Sequence, residues 1–346
     1  GTVFLSAFTT KTAVYVLIRG FPGTELLIWV GLAMVFYGII YALLENDMRR
    51  ILAYSIVNQV GFMIAGIGIG TEMALNGAAA HAFTHIIYKA LLLMSAGSVL
   101  LMTNRRKCSE LGGLFHTMPL TTVCGTIGAL AISSFPLTSG FVSKSMVSQA
   151  AADGHLLTVW LLLTAASAGV FLHAGIKFPW FVFFQKDSGL RPAEPPASMR
   201  WAMVFFAFLC IALGVWAEPL YALLPYEVKY EPYTWAHVLT QTQLLLFSGL
   251  AFFVMLPYLK RTLTITLDTD WVWRRLLPGL LRAFTPLLSA TRHAAGTTVK
   301  ATVQAAQATV ERTHGLDSRL AKTWPTGRMG LAVLILLLGY LLLYYL

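Results

Sequence analysis

Lys11, Lys89 and Lys144 each stand inside a stretch apolar enough to span a bilayer. His81, His85 and Lys89 follow one another at i, i+4 and i+8, a spacing that stacks them on one face of a helix. An ionisable side chain at membrane depth costs roughly 2.5–3.5 kcal/mol on insertion scales, so such residues face a bundle interior or a water-filled path. Lysine changes protonation readily when buried, and histidine titrates near neutral pH unaided. Lysines and histidines at successive positions along such helices have the chemistry of a proton relay. Lys177 stands in a further apolar run, 170–184, just before Pro179, and divides evenly between relay and structural roles. His173, four residues earlier, reads as a core histidine. Two histidines at i, i+4 also suit a metal ion. No carboxylate or cysteine on that helix completes a ligand set, so no metal is expected. Cys108, Cys124 and Cys210 lack ligand spacing and read as incidental.

The elements that carry these residues follow from composition. The chain has 346 residues, 57% hydrophobic and 12% charged, against about 25% charged in a soluble domain. The mean hydropathy is +0.69. An all-α, polytopic membrane helix bundle is the expected fold. Runs near the ~20-residue spanning length fall at 2–18, 25–44, 51–69, 73–102, 119–152, 156–184, 200–217, 237–258 and 327–346. The run 119–152 is too long for one straight helix and contains Ser133-Ser134-Phe135-Pro136-Leu137-Thr138-Ser139-Gly140. Pro136 removes a backbone donor and Gly140 permits an unwound turn, so this run is predicted to be one span built from two half-helices. Broken helices at the midplane are a transporter device, because freed backbone groups can face ions.

The net charge of +10 does not call for nucleic acid. Basic residues gather at helix ends and in one amphipathic segment, where membrane topology and anionic headgroups account for them. Arg49 and Arg50 follow the second span, Arg105, Arg106 and Lys107 the fourth, and Lys186 and Arg191 lie in 185–199. Glu218, Glu227 and Glu231 occupy a loop on the opposite side. This alternation holds only if 119–152 is a single broken span. It places the basic side in the cytoplasm. Residues 261–326 are expected to form a cytoplasmic-side amphipathic lateral helix. Leu276, Leu277, Leu280, Leu281, Phe284, Leu287 and Leu288 supply its apolar stripe, with Arg274, Arg275 and Arg282 off it. Residues 327–346 would anchor its far end.

The N-terminus has no initiator Met, basic n-region or cleavage pattern. The chain is therefore expected to be the later part of a longer protein or one piece of a split gene. No Walker motif, dinucleotide fingerprint, haem-ligand pair or Fe–S cysteine set occurs. No catalytic chemistry of its own and no cofactor are expected, so energy must come from an ion gradient or a redox partner.

Several strings together carry a family likeness: FLSAFTTKTAVYVLIR around Lys11, DMRRILAYSIVNQVGFM, HAFTHIIYKALLLMSAGSVL, ELGGL and SSFPLTSGFVSKSM. In this order they closely resemble the antiporter-like subunits shared by respiratory complex I and the Mrp monovalent cation/proton antiporters. The likeness is dense over 1–150 and looser through 156–260. GIKFPWFVFFQKDSGLRP and TITLDTDWVWRRL look most like D-type Mrp proteins. The resemblance implies two inverted five-helix repeats, of which this chain holds the end of the first and the second. It implies that Lys11 is the connecting lysine, His81, His85 and Lys89 the central relay, and Lys144 the lysine of the second broken helix on the exit side. The implied organisation is a core at 1–155, remaining spans at 156–260, the lateral helix at 261–326 and the anchor at 327–346. The implied function is a proton (or Na⁺/proton) translocating subunit of an Mrp-type antiporter in a bacterial inner membrane. Other antiporter or complex I-like membrane subunits are its expected partners. A pumping subunit of complex I or a related redox complex stays open, as does a structural arm with a vestigial relay.

Overall fold

The computed structural model describes residues 1–258, 271–283, 298–314 and 325–345. The chain divides into two compact units, Gly1–Ile265 and Thr266–Leu346. The first is a helical bundle. Its helices are α1 (2–20), α2 (Glu25–Leu44), α3 (Met48–Ile69), α4 (Glu72–Thr103), α5 (Pro119–Ile132), α6 (Ser139–Asp153), α7 (Leu157–Phe184), α8 (Ala197–Val215) and α9 (Trp235–Met255). Helix α4, with 32 residues, is the centre of the bundle and packs on α3, α5, α6 and α8. The second unit has helices over 271–283 (α10), Thr298–His314 (α11) and Thr326–Tyr345 (α12). The stripe residues Phe284, Leu287 and Leu288 lie outside the described residues. Leu276, Leu277, Leu280 and Leu281 are exposed on α10. Seven of the described helices, α2, α3, α4, α7, α8, α9 and α12, are long and apolar enough to cross a membrane. The protein is an integral membrane protein.

Local chemistry sets the helix ends. Asp47 caps α3 by accepting from the Arg49 and Arg50 amides at 2.9 and 3.3 Å. Gly70 closes that helix in the left-handed region at φ +74°. Thr71 then caps α4 through the Ala74 amide. Glu194 reaches from the 185–196 loop onto the start of α5. It accepts from the Leu120 and Thr121 amides at 2.6 and 3.2 Å and from Thr121 Oγ1 at 2.6 Å. A carboxylate there meets the positive end of the helix dipole.

The run 119–152 is indeed two half-helices, α5 and α6, joined by 133–138. The left-handed residues in the join are Ser134 (φ 58°) and Leu137 (φ 67°) rather than a glycine. Gly140 serves a different end, since a Cβ there would collide with the Ala131 carbonyl oxygen. Helix α7 has two widened, π-type stretches, Phe171–Lys177 and Trp180–Phe184, on either side of Pro179. Such stretches are frequent at functional sites.

The loops sort to two ends. Asp47 bridges Lys107 in the backbone, Arg106 pairs with Asp47 at 3.2 Å, and the Ser188 amide donates to Gly112 O at 3.2 Å. These contacts gather the Arg- and Lys-bearing loops at one end. At the same end Arg191 and the Gly189 amide hold the exposed Asp187 carboxyl below the usual carboxylate range. At the other end, Asn76 Nδ2 donates to Tyr226 O at 3.0 Å, tying the start of α4 to the acidic loop.

Candidate functional site

Lys11 follows a widened turn, Leu5–Thr9, in α1. Its Nζ lies 3.0 Å from Ser6 O, 3.1 Å from Thr10 Oγ1 and 2.5 Å from His85 Nδ1. Ser6 O and Thr10 Oγ1 accept from Lys11, and no carboxylate is among its three partners. The α4 residues His81, His85 and Lys89 are each 0% exposed. The His81 and His85 ring centroids are 6.3 Å apart, and the Tyr88 ring lies 5.3 Å from His85. His81 Nε2 is 3.0 Å from Gln59 Oε1, and Tyr88 OH donates to the same oxygen at 3.2 Å.

Lys144 sits in the first turns of the second half-helix, α6. Its Nζ is 4.4 Å from the centroid of the Phe62 ring, within cation–π range. Next to it, the Ser143 and Thr84 hydroxyls meet at 2.8 Å and join α6 to α4. Neither Lys89 Nζ nor Lys144 Nζ has a hydrogen-bond partner among the described residues. A buried ammonium without a counter-ion is costly. The one carboxylate buried among the described residues is Glu45, which pairs with Arg50 at 3.1 Å at the basic end.

Mutual proximity links the groups into a cluster. His85 lies within electrostatic reach of Lys11, Lys89 and His81. His81 lies within reach of Lys144 and Lys11. His173 has Lys89, Lys177 and Lys144 as charged neighbours. Its ring Nδ1 donates to Gly169 O at 2.8 Å, as suits a core histidine. Its Nε2 is buried and has no partner among the described residues, so His173 stands closer to the cluster than its sequence context suggests.

Lys177 is held differently. Its Nζ donates to Ala42 O at 3.0 Å, Leu43 O at 2.5 Å and Glu45 O at 2.6 Å. All three of its donors go to carbonyls at the end of α2, which are orphaned by helix geometry. Of the two roles open to Lys177, these contacts carry the structural one, a cap on α2, while His173 remains its neighbour on the side of the cluster. Asn58, Gln59 and Tyr88 are the residues that reading passed over. Two adjacent amides inside an apolar span were a legible signal for Asn58 and Gln59, while Tyr88 passed for an ordinary core aromatic.

Beside Lys144 opens a cavity of 550 Å³, lined by Ser134, Ser145, Gln149, Tyr230, His237 and Gln241 among others. Tyr230 belongs to the acidic-end loop, so the cavity runs from Lys144 toward that end. Its polar lining and size suit several hydrogen-bonded waters.

Residues 1–170 match the family model described as NADH:quinone oxidoreductase/Mrp antiporter, transmembrane. A probable K⁺/H⁺ antiporter component of Rhizobium meliloti is 32% identical over 224 residues, covering 61% of this chain and 22% of that protein. A Na⁺/H⁺ antiporter component of Alkalihalophilus pseudofirmus is 32% identical over 229 residues, covering 61% and 45% respectively. The chain therefore spans less than half the length of these relatives. Among solved structures, the Mrp complex of a Dietzia species aligns with TM-score 0.57 and 21% identity, over 63% of this chain and 51% of that one. An archaeal membrane-bound sulfane sulfur reductase aligns with TM-score 0.61 and 20% identity, over 98% and 62%. At these identities the two structures show a shared fold.

Proposed function

We propose that the chain, whose residues 1–170 match the NADH:quinone oxidoreductase/Mrp antiporter transmembrane family model, is a proton-translocating subunit of an Mrp-type multisubunit antiporter. The observation that carries this reading is the 2.5 Å contact between Lys11 Nζ and His85 Nδ1, at the head of a buried cationic cluster that ends on a polar cavity. A proton on Lys11 passes to His85 Nδ1, which leaves Lys11 neutral and His85 an imidazolium. His85 sheds its Nε2 proton to its neighbour Lys89, from which it moves on to Lys144, and the ring exchanges Nδ1–H for Nε2–H before the next transfer. Lys144 releases it into the 550 Å³ cavity, and Lys11 takes up the next. Each member changes charge in turn, so the cluster never holds its full formal charge.

The relatives named above as antiporter components favour the Mrp-type machine. The family model also covers NADH:quinone oxidoreductase, and a matching protein at 30% identity is a component of an F420H2 dehydrogenase from Methanosarcina mazei. A pumping subunit of a redox complex is therefore the second reading, and co-purifying subunits separate the two. On either reading the chain sits in a bacterial inner membrane with its Arg-rich loops in the cytoplasm.

The test is proton transfer in inverted vesicles. Lys11→Ala and Lys144→Ala should each cut it at least tenfold at normal expression. Lys144→Arg should fail as well, because a guanidinium with pKa above ~12 cannot release its proton. Lys107→Ala, in the exposed loop, should be near neutral. Wild-type rates from both alanine variants would leave the lysines as structural charges.

A further inference from the structure

One backbone carbonyl fixes the hydrogen-bond direction of a whole row of buried groups. Val35 O can only accept, and Asn58 Nδ2 lies 3.0 Å from it. The amide group of Asn58 must therefore turn its NH₂ to Val35 and its Oδ1 away. That oxygen can in turn only accept, and Gln59 Nε2 donates to it at 2.5 Å. Gln59 is thereby left with Oε1 toward His81. It accepts from Tyr88 OH at 3.2 Å and faces His81 Nε2 at 3.0 Å. An oxygen opposite a ring nitrogen requires that nitrogen to carry the proton.

We propose that Asn58 and Gln59 form a fixed amide pair that holds His81 with its proton on Nε2, so that His81 exchanges protons through Nδ1 alone. An amide oxygen is too weak a base to take a proton onward, and the Tyr88 hydroxyl, 3.4 Å from Nε2, gives its own proton to the same Oε1 at 3.2 Å, so Nε2–H is a closed end. His81 Nδ1 is buried and has no partner among the described residues, which leaves it as the basic nitrogen. His85 is wired otherwise: its Nδ1 meets Lys11 and its buried Nε2 is free of protein partners among the described residues. His85 can take a proton on one side and release it on the other. His81 takes and returns it on the same side, acting as a holding site beside the path. Asn58 and Gln59 are positioning residues, acting through the ring.

The consequence for transport rests on the relay reading above, whereas the tautomer does not, so the experiment reads both. The full-length chain, purified with the subunits it brings along, is labelled with ring-¹⁵N histidine. The His81 signals are assigned against His81→Gln by solid-state NMR. Wild type should show a protonated Nε2 and a bare Nδ1 at neutral His81. In Asn58→Leu and Gln59→Leu, which free the ring to choose, Nδ1–H should appear and proton transfer should fall roughly tenfold to a hundredfold, the scale on which a metal-bound histidine suffers when it loses the hydrogen bond that orients its ring. His85→Ala should abolish transfer, and His81→Ala should slow it less. Nδ1–H in wild type overturns the inference, and that spectrum decides even if the leucine variants fail to fold. An unchanged tautomer in both variants, or a changed one with transfer within about twofold of wild type, also overturns it. If the tautomer is as stated but Lys11→Ala and Lys144→Ala transport normally, the relay fails while the amide pair stands.

Discussion

Lys177 shows how one residue type serves two ends in the same bundle. Lys11 meets an imidazole that can take its proton, whereas Lys177 meets three backbone carbonyls that cannot. An ammonium at the carboxyl end of α2 also lies along the favourable direction of the helix dipole. Lys177→Met keeps the apolar stem and deletes the donors. It should destabilise the protein by roughly 1–3 kcal/mol, the cost of buried acceptors left unpaired. A lowered thermal midpoint, with proton transfer per folded molecule near that of wild type, is the expected result. Transfer lost at an unchanged midpoint would return Lys177 to the conducting set.

At the scale of elements, the contact between α2 and α3 decides whether the amide pair can reach its anchor. Gly31 and Gly61 face each other there. A Cβ on Gly61 would lie 2.6 Å from Gly31 O and 2.8 Å from Val35 N. Small residues let two membrane helices approach backbone to backbone, and this approach brings Asn58 to Val35 O. Gly61→Val should push the helices apart, cost roughly 1–3 kcal/mol as overpacking does, and weaken the His81 tautomer preference together with stability. Gly97 on α4 provides the comparison, since nothing lies within 4 Å of a Cβ there. Gly97→Ala should be neutral or slightly stabilising, because alanine loses less backbone entropy in a helix. Thermal unfolding of the two variants side by side checks the pair. Equal midpoints would mean that the close approach is not under strain.

For the molecule as a whole, the sorting of loops to two ends is what a membrane orientation needs. The Asp47–Arg106 pair at 3.2 Å and the Ser188–Gly112 bond at 3.2 Å put the basic loops together. The bond from Asn76 to Tyr226 puts the acidic loop at the start of α4. With the basic end in the cytoplasm, Asn104→Cys should resist an impermeant thiol reagent in sealed cells and react in inverted vesicles. A cysteine at Glu227 should do the reverse. Labelling of the Asn104 variant from outside would invert the assigned orientation, and with it the direction in which the cavity at Lys144 opens.

Contiguous residues were enough to define the elements. Span length and apolar content placed all nine runs close to observed helices, and Pro136 with its neighbours located the break, because these are local properties of the chain. The stacking of His81, His85 and Lys89 was equally legible, since helical period fixes it. Which cation meets which acceptor was not, because that depends on residues distant along the chain. Lys11 and His85 are 74 positions apart, and Lys177 and Ala42 are 135. Three lysines in similar apolar runs therefore looked alike, until packing gave one an imidazole, one a polar cavity and one the end of a helix. The direction of the amide row was also hidden, because it originates in a single carbonyl, Val35 O, whose accessibility is set only by how closely α2 and α3 approach.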